Sequence, residues 1–423
     1  MILINQPTSK ITIAIVSKSD STGGGAGKIA AGLVKLLNNS VHFKCHHWVS
    51  RFGINADWHT FKLHGGQWLS LVQGVFVTFS RMIGLPDFLT PELVIHLLRK
   101  PENYSIYHFH DISFTFSPMS LKWLAKRKPV IWTFHDCSPF TGGCIAPMDC
   151  QALYSGCRHC PQLNKLPLGT SIDLTGYMQR YKLNLLNQLP VIPIMPSRWL
   201  VDQAKRVVKF KIEPIIIPNF VDLDIYKPLD KNAVRNILGL PLDRFIVLLS
   251  ATSLLDYHKG NHLAIDAIKN SGTNPLVIAI GKLEQHQNYI FKSLDVQVTG
   301  YIYNDQLLAQ YYAAADVFLY PTLADSFGCV AIETMACGTP AIAFATGGVP
   351  EIIEHGKTGW LVKTGDVQGL VDALHYVIDH PDVLEAWRIA GLQCVKERYT
   401  KEQFLAAHLK IYQKVLNNYH ANL

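Results

Sequence analysis

Two carboxylates stand eight residues apart in one segment, Pro321-Thr322-Leu323-Ala324-Asp325-Ser326-Phe327-Gly328-Cys329-Val330-Ala331-Ile332-Glu333-Thr334-Met335-Ala336-Cys337-Gly338-Thr339-Pro340. Asp325 precedes a Ser-Phe-Gly turn. Glu333 lies in an apolar-periodic stretch that reads as a helix stopped by Gly338-Thr339-Pro340. This spacing suits holding a polyhydroxylated ligand at two separated points. Lys259, in Asp256-Tyr257-His258-Lys259-Gly260, precedes a helical pattern of Leu263, Ala264, Ala267 and Ile268. A lysine at a helix N-terminus opposes the macrodipole unless an anion compensates both, and a diphosphate would do so.

The first strand pattern, Ile11 to Ser17, runs into Asp20-Ser21-Thr22-Gly23-Gly24-Gly25-Ala26-Gly27-Lys28 and then a helix from Lys28 to Leu37. Glycines ahead of a helix N-terminus let backbone amides approach phosphate closely. The P-loop pattern fails here at Thr22 and Ile29, and G-x-G-x-x-G fails at Ala30. The loop therefore reads as an unspecialised phosphate-facing turn or a plain strand–helix connection. Ile106-Tyr107-His108-Phe109-His110-Asp111 and Phe134-His135-Asp136 each end a buried strand pattern with His-Asp. Two such histidines in equivalent positions favour a site, and the absence of a G-x-S-x-G turn argues against a serine hydrolase.

Of nine cysteines, Cys144, Cys150, Cys157 and Cys160 share one short stretch spaced C-x5-C-x6-C-x2-C. Four thiolates so spaced can build a tetrahedral structural zinc site, and reduced thiols or one disulfide are the alternatives. A four-Cys zinc leaves no open position for catalysis.

These candidates need a scaffold of alternating elements. Strand patterns at 105–109, 129–134 and 191–195 alternate with helices in the first half. After a linker at 220–229 the pattern restarts with strands at 245–250, 276–280, 296–300, 317–320 and 341–345. Strands alternating with helices imply parallel sheets whose ligands collect at the strands' carboxyl ends. A chain of 423 residues exceeds one comfortable core, so two α/β domains are expected, 1–222 and 223–400. A helix over 401–423 then packs back on the first domain, and a ligand cleft lies between the two. With 48% apolar and 17% charged residues the chain is globular. Its net charge of +7 comes with no Lys/Arg stripe interleaved with aromatics, so no nucleic-acid partner is expected. Met1 to Pro7 has no basic signal region, and no window reaches a membrane span. Trp68 to Leu89 comes nearest. It reads as a core helix in the first instance, and otherwise as a helix on the domain surface or in a membrane interface.

The segment from Asp325 to Glu333 resembles the acidic donor-sugar motif of the retaining glycosyltransferases of family 4. Gly347-Gly348-Val349-Pro350-Glu351 and Gly356-Lys357-Thr358-Gly359 are similar to that family too. The resemblance implies the GT-B fold, two facing Rossmann-like domains with the ligand cleft between them. It implies a nucleotide-diphosphate sugar donor, UDP- or GDP-linked, and no cofactor or metal in catalysis. By resemblance Gly24-Gly25-Ala26 approaches the diphosphate and sugar, His110 lies beside the reacting sugar, and Lys259 contacts the diphosphate. Asp325 with the Phe327 and Gly328 amides holds the hexose, and Glu333 bonds the ribose. The catalytic set is thus His110, Lys259 and Asp325. Two departures stand out: Ser253 occupies the place of the family's arginine, and Asp325 replaces its usual glutamate. Exopolysaccharide enzymes of the family have a similar loop, Phe-Thr-Gly-Gly-Cys through Cys-Pro, which implies a structural insertion on the acceptor side. The expected activity is hexose transfer, with retention, to a glycan or lipid-linked oligosaccharide of surface polysaccharide. The expected place is the cytoplasm, with peripheral attachment to the inner face of the membrane. A sugar-nucleotide epimerase of the same fold and a non-catalytic nucleotide-sugar-binding protein are the alternatives.

Overall fold

A computed structural model describes residues 10–421 apart from 52, 54–56, 65, 87, 89–91, 93, 95–102 and 114. Met1–Pro7, where no secretory signal is read, and Leu89, the end of the apolar window, lie outside the described residues. The chain divides into two compact units. One comprises residues up to Ile217 together with those from Leu405 onward, and the other is Pro218–Phe404. The division therefore falls at Ile217/Pro218, a few residues before the sequence-based boundary at 222. The last helix, Lys401–Ala421, begins in the second unit and belongs to the first from Leu405 onward.

The first unit holds a parallel sheet of seven strands: β1 (Ile11–Ser19), β2 (Phe43–Arg51), β3 (Thr60–Lys62), β4 (Ile106–His110), β5 (Val130–Thr133), β6 (Val191–Met195) and β7 (Ile215–Ile216). Their spatial order is β3-β2-β1-β4-β5-β6-β7. The second unit holds six parallel strands: β8 (Ile246–Ser253), β9 (Leu276–Lys282), β10 (Val296–Gly300), β11 (Val317–Tyr320), β12 (Ala341–Phe344) and β13 (Gly359–Val362). Their order is β10-β9-β8-β11-β12-β13. Both sheets are built outward in two directions from a central pair. In such sheets the strand order reverses at one point, and a crevice opens there beyond the carboxyl ends. The reversal lies between β1 and β4 in the first sheet and between β8 and β11 in the second.

Helices cover both faces of these sheets, so successive strand residues must be apolar in both directions. In β8, Ile246 and Leu248 pack into one core with Phe318 and Ile332, while Val247 and Leu249 pack into the other with Val317 and Leu370. Arg235 shows how a charged residue enters this core. The Arg235 guanidinium, 3% exposed as a residue, donates to the carbonyls of Ala314, Leu242 and Arg244 and pairs with Asp316 at 2.7 Å. Asp316 also accepts from the Ile246 amide at 2.7 Å, which fixes the start of β8.

Asp316→Ala leaves that buried guanidinium uncompensated. The expected loss is about 3–5 kcal/mol of second-unit stability, read from denaturant unfolding. Replacing the exposed Lys357, which pairs with Glu354 on the surface, is expected to cost less than about 1 kcal/mol.

Candidate functional site

In the second unit the two residues at the reversal point find each other. β8 ends at Ser253, and a turn of 3-10 helix, Tyr257–Lys259, leads to Gly260 and the helix Asn261–Asn270. β11 ends at Tyr320, and the Pro321–Gly328 loop leads to the helix Cys329–Ala336. Lys259 Nζ donates to Asp325 Oδ2 at 2.9 Å. The Tyr320 hydroxyl donates to the same oxygen at 2.6 Å, and the Phe327 amide donates to Oδ1 at 3.2 Å. Burial works against the charge of Asp325, but Lys259 and these donors hold the carboxyl below its ordinary value. Burial likewise opposes the Lys259 charge, and the Asp325 carboxylate outweighs it and raises the ammonium. Both groups are charged at neutral pH.

The lysine closes the 3-10 turn, and the helix that the sequence has it open starts after it, with Gly260 as N-cap in the left-handed conformation. Its counter-ion within the chain is Asp325.

The two loops are clasped by backbone. The Leu323 amide donates to the His258 carbonyl at 2.8 Å, and Thr322 Oγ1 donates to the same carbonyl at 3.1 Å. Gly260 has φ +67°, and a Cβ there would meet the Pro321 carbonyl oxygen at 1.8 Å. From the other side the Gly348 amide donates to the Asp325 carbonyl at 3.0 Å. Gly347 has φ +57°, and a Cβ there would meet that carbonyl oxygen at 1.8 Å. Only glycine permits both the turn and the approach.

Glu333 is half-buried, one turn into the helix Cys329–Ala336, and its Oε2 accepts from the Tyr312 hydroxyl at 3.4 Å. Tyr312 lies 3.4 Å from Ser250 Oγ at the carboxyl half of β8. Gly328 caps this helix with φ +108° and no side-chain cap, so its first amides are not claimed by a capping side chain. Asp325, Phe327, Gly328 and Glu333 thus lie along one loop and helix, with Lys259 bonded to the first. Sequence reading missed Tyr320 and Tyr312, because within strand and helix patterns a tyrosine reads as an apolar filler. It also passed over Lys282, which ends β9 directly opposite Ser253 in the β8–β9 register.

In the first unit Gly24 is the N-cap of α1 (Gly25–Asn38), with φ +91° and no side-chain cap. This helix begins three residues before the Lys28 start read from periodicity. His110 ends β4 and is fully buried, with its Nδ1 3.0 Å from His135 Nε2. The match extends beyond the histidines: His110-Asp111-Ile112-Ser113 and His135-Asp136-Cys137-Ser138 are one pattern repeated. Asp111 accepts from the Ser113 amide, Asp136 accepts from the Ser138 amide, and Ser113 Oγ reaches Ser138 Oγ at 3.4 Å. Lys182 Nζ, buried, donates to the Ser138 carbonyl at 2.6 Å. Burial and then Asp111 push the Asp136 carboxyl up. Beneath them, His108 lies 2.7 Å from both the Tyr412 hydroxyl and Thr133 Oγ1, and Ser17 Oγ lies 2.7 Å from His47 Nε2. Tyr412 and His408 come from the C-terminal helix.

Cys144, Cys150, Cys157 and Cys160 line one cavity with Gly142, Leu153 and Thr175, and all four are free thiols. Among the described residues no group of three or more His, Cys, Asp or Glu could hold a metal ion. A 3-10 turn at Gln151–Leu153 lies between Cys150 and Cys157, and Cys157 Sγ accepts from the Gly142 amide at 3.3 Å.

Residues 230–393 match the family described as Glycosyl transferases group 1. A D-inositol 3-phosphate glycosyltransferase of Catenulispora acidiphila is 30% identical over 190 residues, which are 41% of this chain and 45% of that protein. The Mycobacterium bovis enzyme of that name is 28% identical over 190 residues, 42% of this chain and 39% of its own. The chain spans less than half the length of these curated relatives. Similarity of fold reaches further. Sucrose-phosphate synthase of Thermosynechococcus elongatus superposes with a TM-score of 0.74 at 20% identity, over 97% of this chain and all of that one. Anabaena HepE in complex with UDP gives 0.69 at 17% identity, over 96% of this chain and all of that one. The fold is thus that of the GT-B glycosyltransferases, with two Rossmann-like domains.

Two outcomes follow from this geometry. Gly347→Ala forces a left-handed backbone and a clash on the Asp325 carbonyl, so a loss of at least about 1–3 kcal/mol is expected in denaturant unfolding. In the first unit, burial holds His47 and His135 down to about 4 and lowers His108 and His110 well below their ordinary range. Their stabilising effect is complete above the unfolded value near ~6.5 and is lost as pH falls from there toward ~4, because the unfolded chain takes up the protons first. Thermal midpoints should fall over that window, with a shallower slope for His135→Gln.

Proposed function

We propose that the protein is a retaining glycosyltransferase that moves a hexose from a UDP- or GDP-linked donor to a hydroxyl of a glycan or lipid-linked oligosaccharide in surface polysaccharide assembly. The observation that carries the reading is the Lys259–Asp325 pair at the reversal of the second sheet, followed by the uncapped helix bearing Glu333. A charged lysine supplies what a departing diphosphate needs. A charged Asp325, already accepting from Tyr320, supplies what sugar hydroxyls need. Glu333 lies one helical turn further on, where ribose hydroxyls would find an acceptor. The Anabaena HepE structures contain UDP-glucose or UDP with glucose, which favours a uridine donor of this kind.

Retention with one carboxylate committed to binding fits a same-face mechanism. The bond from the anomeric carbon to the diphosphate oxygen breaks, the acceptor oxygen bonds to that carbon from the same side, and its proton passes to the departing phosphate. Lys259 and loop amides stabilise the charge that develops on the leaving group, while Asp325 with the Phe327 and Gly328 amides holds the hexose. In this reading Gly24, Gly25 and His110 serve the donor from the first domain. Lys282, placed opposite Ser253, provides the cation that an arginine at 253 would otherwise supply.

The test is incubation of the protein with UDP- and GDP-sugars plus a membrane lipid extract, followed by nucleotide release and product mass. Transfer from one donor is expected. Lys259→Ala should lower kcat by about 10²–10³-fold, and Lys282→Ala should raise KM for the donor with less change in kcat. Donor isomerised without an acceptor would make the protein an epimerase. Tight donor binding without turnover would make it a binding protein, and neither binding nor turnover would remove the reading.

A further inference from the structure

α2 (Gln67–Met82) is an amphipathic helix mounted the wrong way round. Its buried positions are polar: Gln73 and Ser80 are 6% and 0% exposed. Its apolar side chains face out, with Trp68 83%, Leu71 63%, Val75 68%, Phe79 51% and Met82 69% exposed, joined by Leu69, Val72 and Phe76. At 100° per residue these eight positions cover an arc of roughly 160°. This overturns the expectation of a core helix for Trp68–Met82, whereas Phe88 further on is buried with Leu168 and Met178 as expected. No helix among the described residues is long and apolar enough to cross a membrane.

We infer that this face of α2 lies in the interfacial layer of an anionic lipid bilayer, parallel to its surface. Three observations select lipid over a protein partner. The helix contains no Asp or Glu, and exposed Lys62 precedes it. The loop that Arg81 holds, through its Nη2 bond to the Pro167 carbonyl and the Thr170 hydroxyl bond to its own carbonyl, adds Lys165 with exposed Leu166 and Ile172. Finally, the exposed arc is wide and convex and carries Trp68, with Trp58 also 82% exposed in the turn before β3. Amphipathic aromatic rings of this kind settle at the headgroup level. A single facing helix would cover only part of such an arc, whereas a bilayer interface covers all of it.

This inference goes beyond the proposed transfer reaction and does not depend on the donor chemistry. The test is flotation of the full chain with vesicles of phosphatidylcholine containing phosphatidylglycerol, against phosphatidylcholine alone, for the wild type and for Val75→Glu with Phe79→Glu. Both positions are exposed, so the variant should keep the wild-type thermal midpoint. The wild type is expected to float with the anionic vesicles and to be partly released by salt. The variant should float at least about ten-fold less, and brominated lipid should quench wild-type fluorescence more than that of Trp68→Phe. Equal flotation of the variant would overturn the inference. So would a wild type that stays in solution, whether as a monomer or as a dimer that the variant dissociates, the latter assigning the face to a second copy. Donor binding measured on the same samples should be equal in both proteins, which separates this outcome from the fate of the transferase reading.

Discussion

The second domain is organised around one ion pair. Lys259 and Asp325 come from loops sixty-six residues apart that leave adjacent strands, β8 and β11. Partly burying two charges is costly unless each is met by the other and by further hydrogen bonds. Tyr320 and the Phe327 amide complete Asp325. The clasp of Leu323 and Thr322 onto the His258 carbonyl keeps the lysine's turn in place, and the Gly348 amide backs the aspartate's loop. The glycines at 260 and 347 follow from this closeness, because no side chain fits between the backbones. The pair neutralises itself. Under the proposed transfer reaction, a diphosphate and a sugar would compete for two charges already fixed in position.

The first domain uses a different device at its own reversal point. It is a ladder of neutral imidazoles and hydroxyls from Ser17 and His47 through His108 and Thr133 to His110 and His135. Burial lowers the basicity of these histidines, and their mutual repulsion, His408 included, lowers it further. The C-terminal helix closes the ladder by supplying Tyr412 and His408, which gives the last residues of the chain a part in placing His110. The repeated His-Asp-x-Ser then sets two serines and two carboxyls side by side at the ends of β4 and β5.

What was legible in the sequence is the layer architecture, because strands covered on both faces must read as short apolar runs between helical stripes. The Asp325–Glu333 segment and Lys259 were legible for a related reason: charged residues at strand ends and helix starts interrupt those runs. β2 escaped notice because Lys44, His46 and His47 break its apolar pattern, although Ala14 and Ile15 pair with the two histidines in register. The four cysteines were legible as a cluster because their short spacing confines them to one loop, and they line one cavity there.

The sequence by itself determined two parallel α/β domains, the loops that carry the polar groups, and the apolar character of residues 67–82, because all three are properties of local composition and period. Only the tertiary structure decided that Lys259 is neutralised by Asp325, that Tyr320 and Tyr312 are hydrogen-bond donors rather than filler, and that Lys282 lies opposite Ser253. It alone showed that α2 turns its apolar side outward. Each of these depends on strand order and helix rotation, which bring together residues tens of positions apart and which no local pattern encodes.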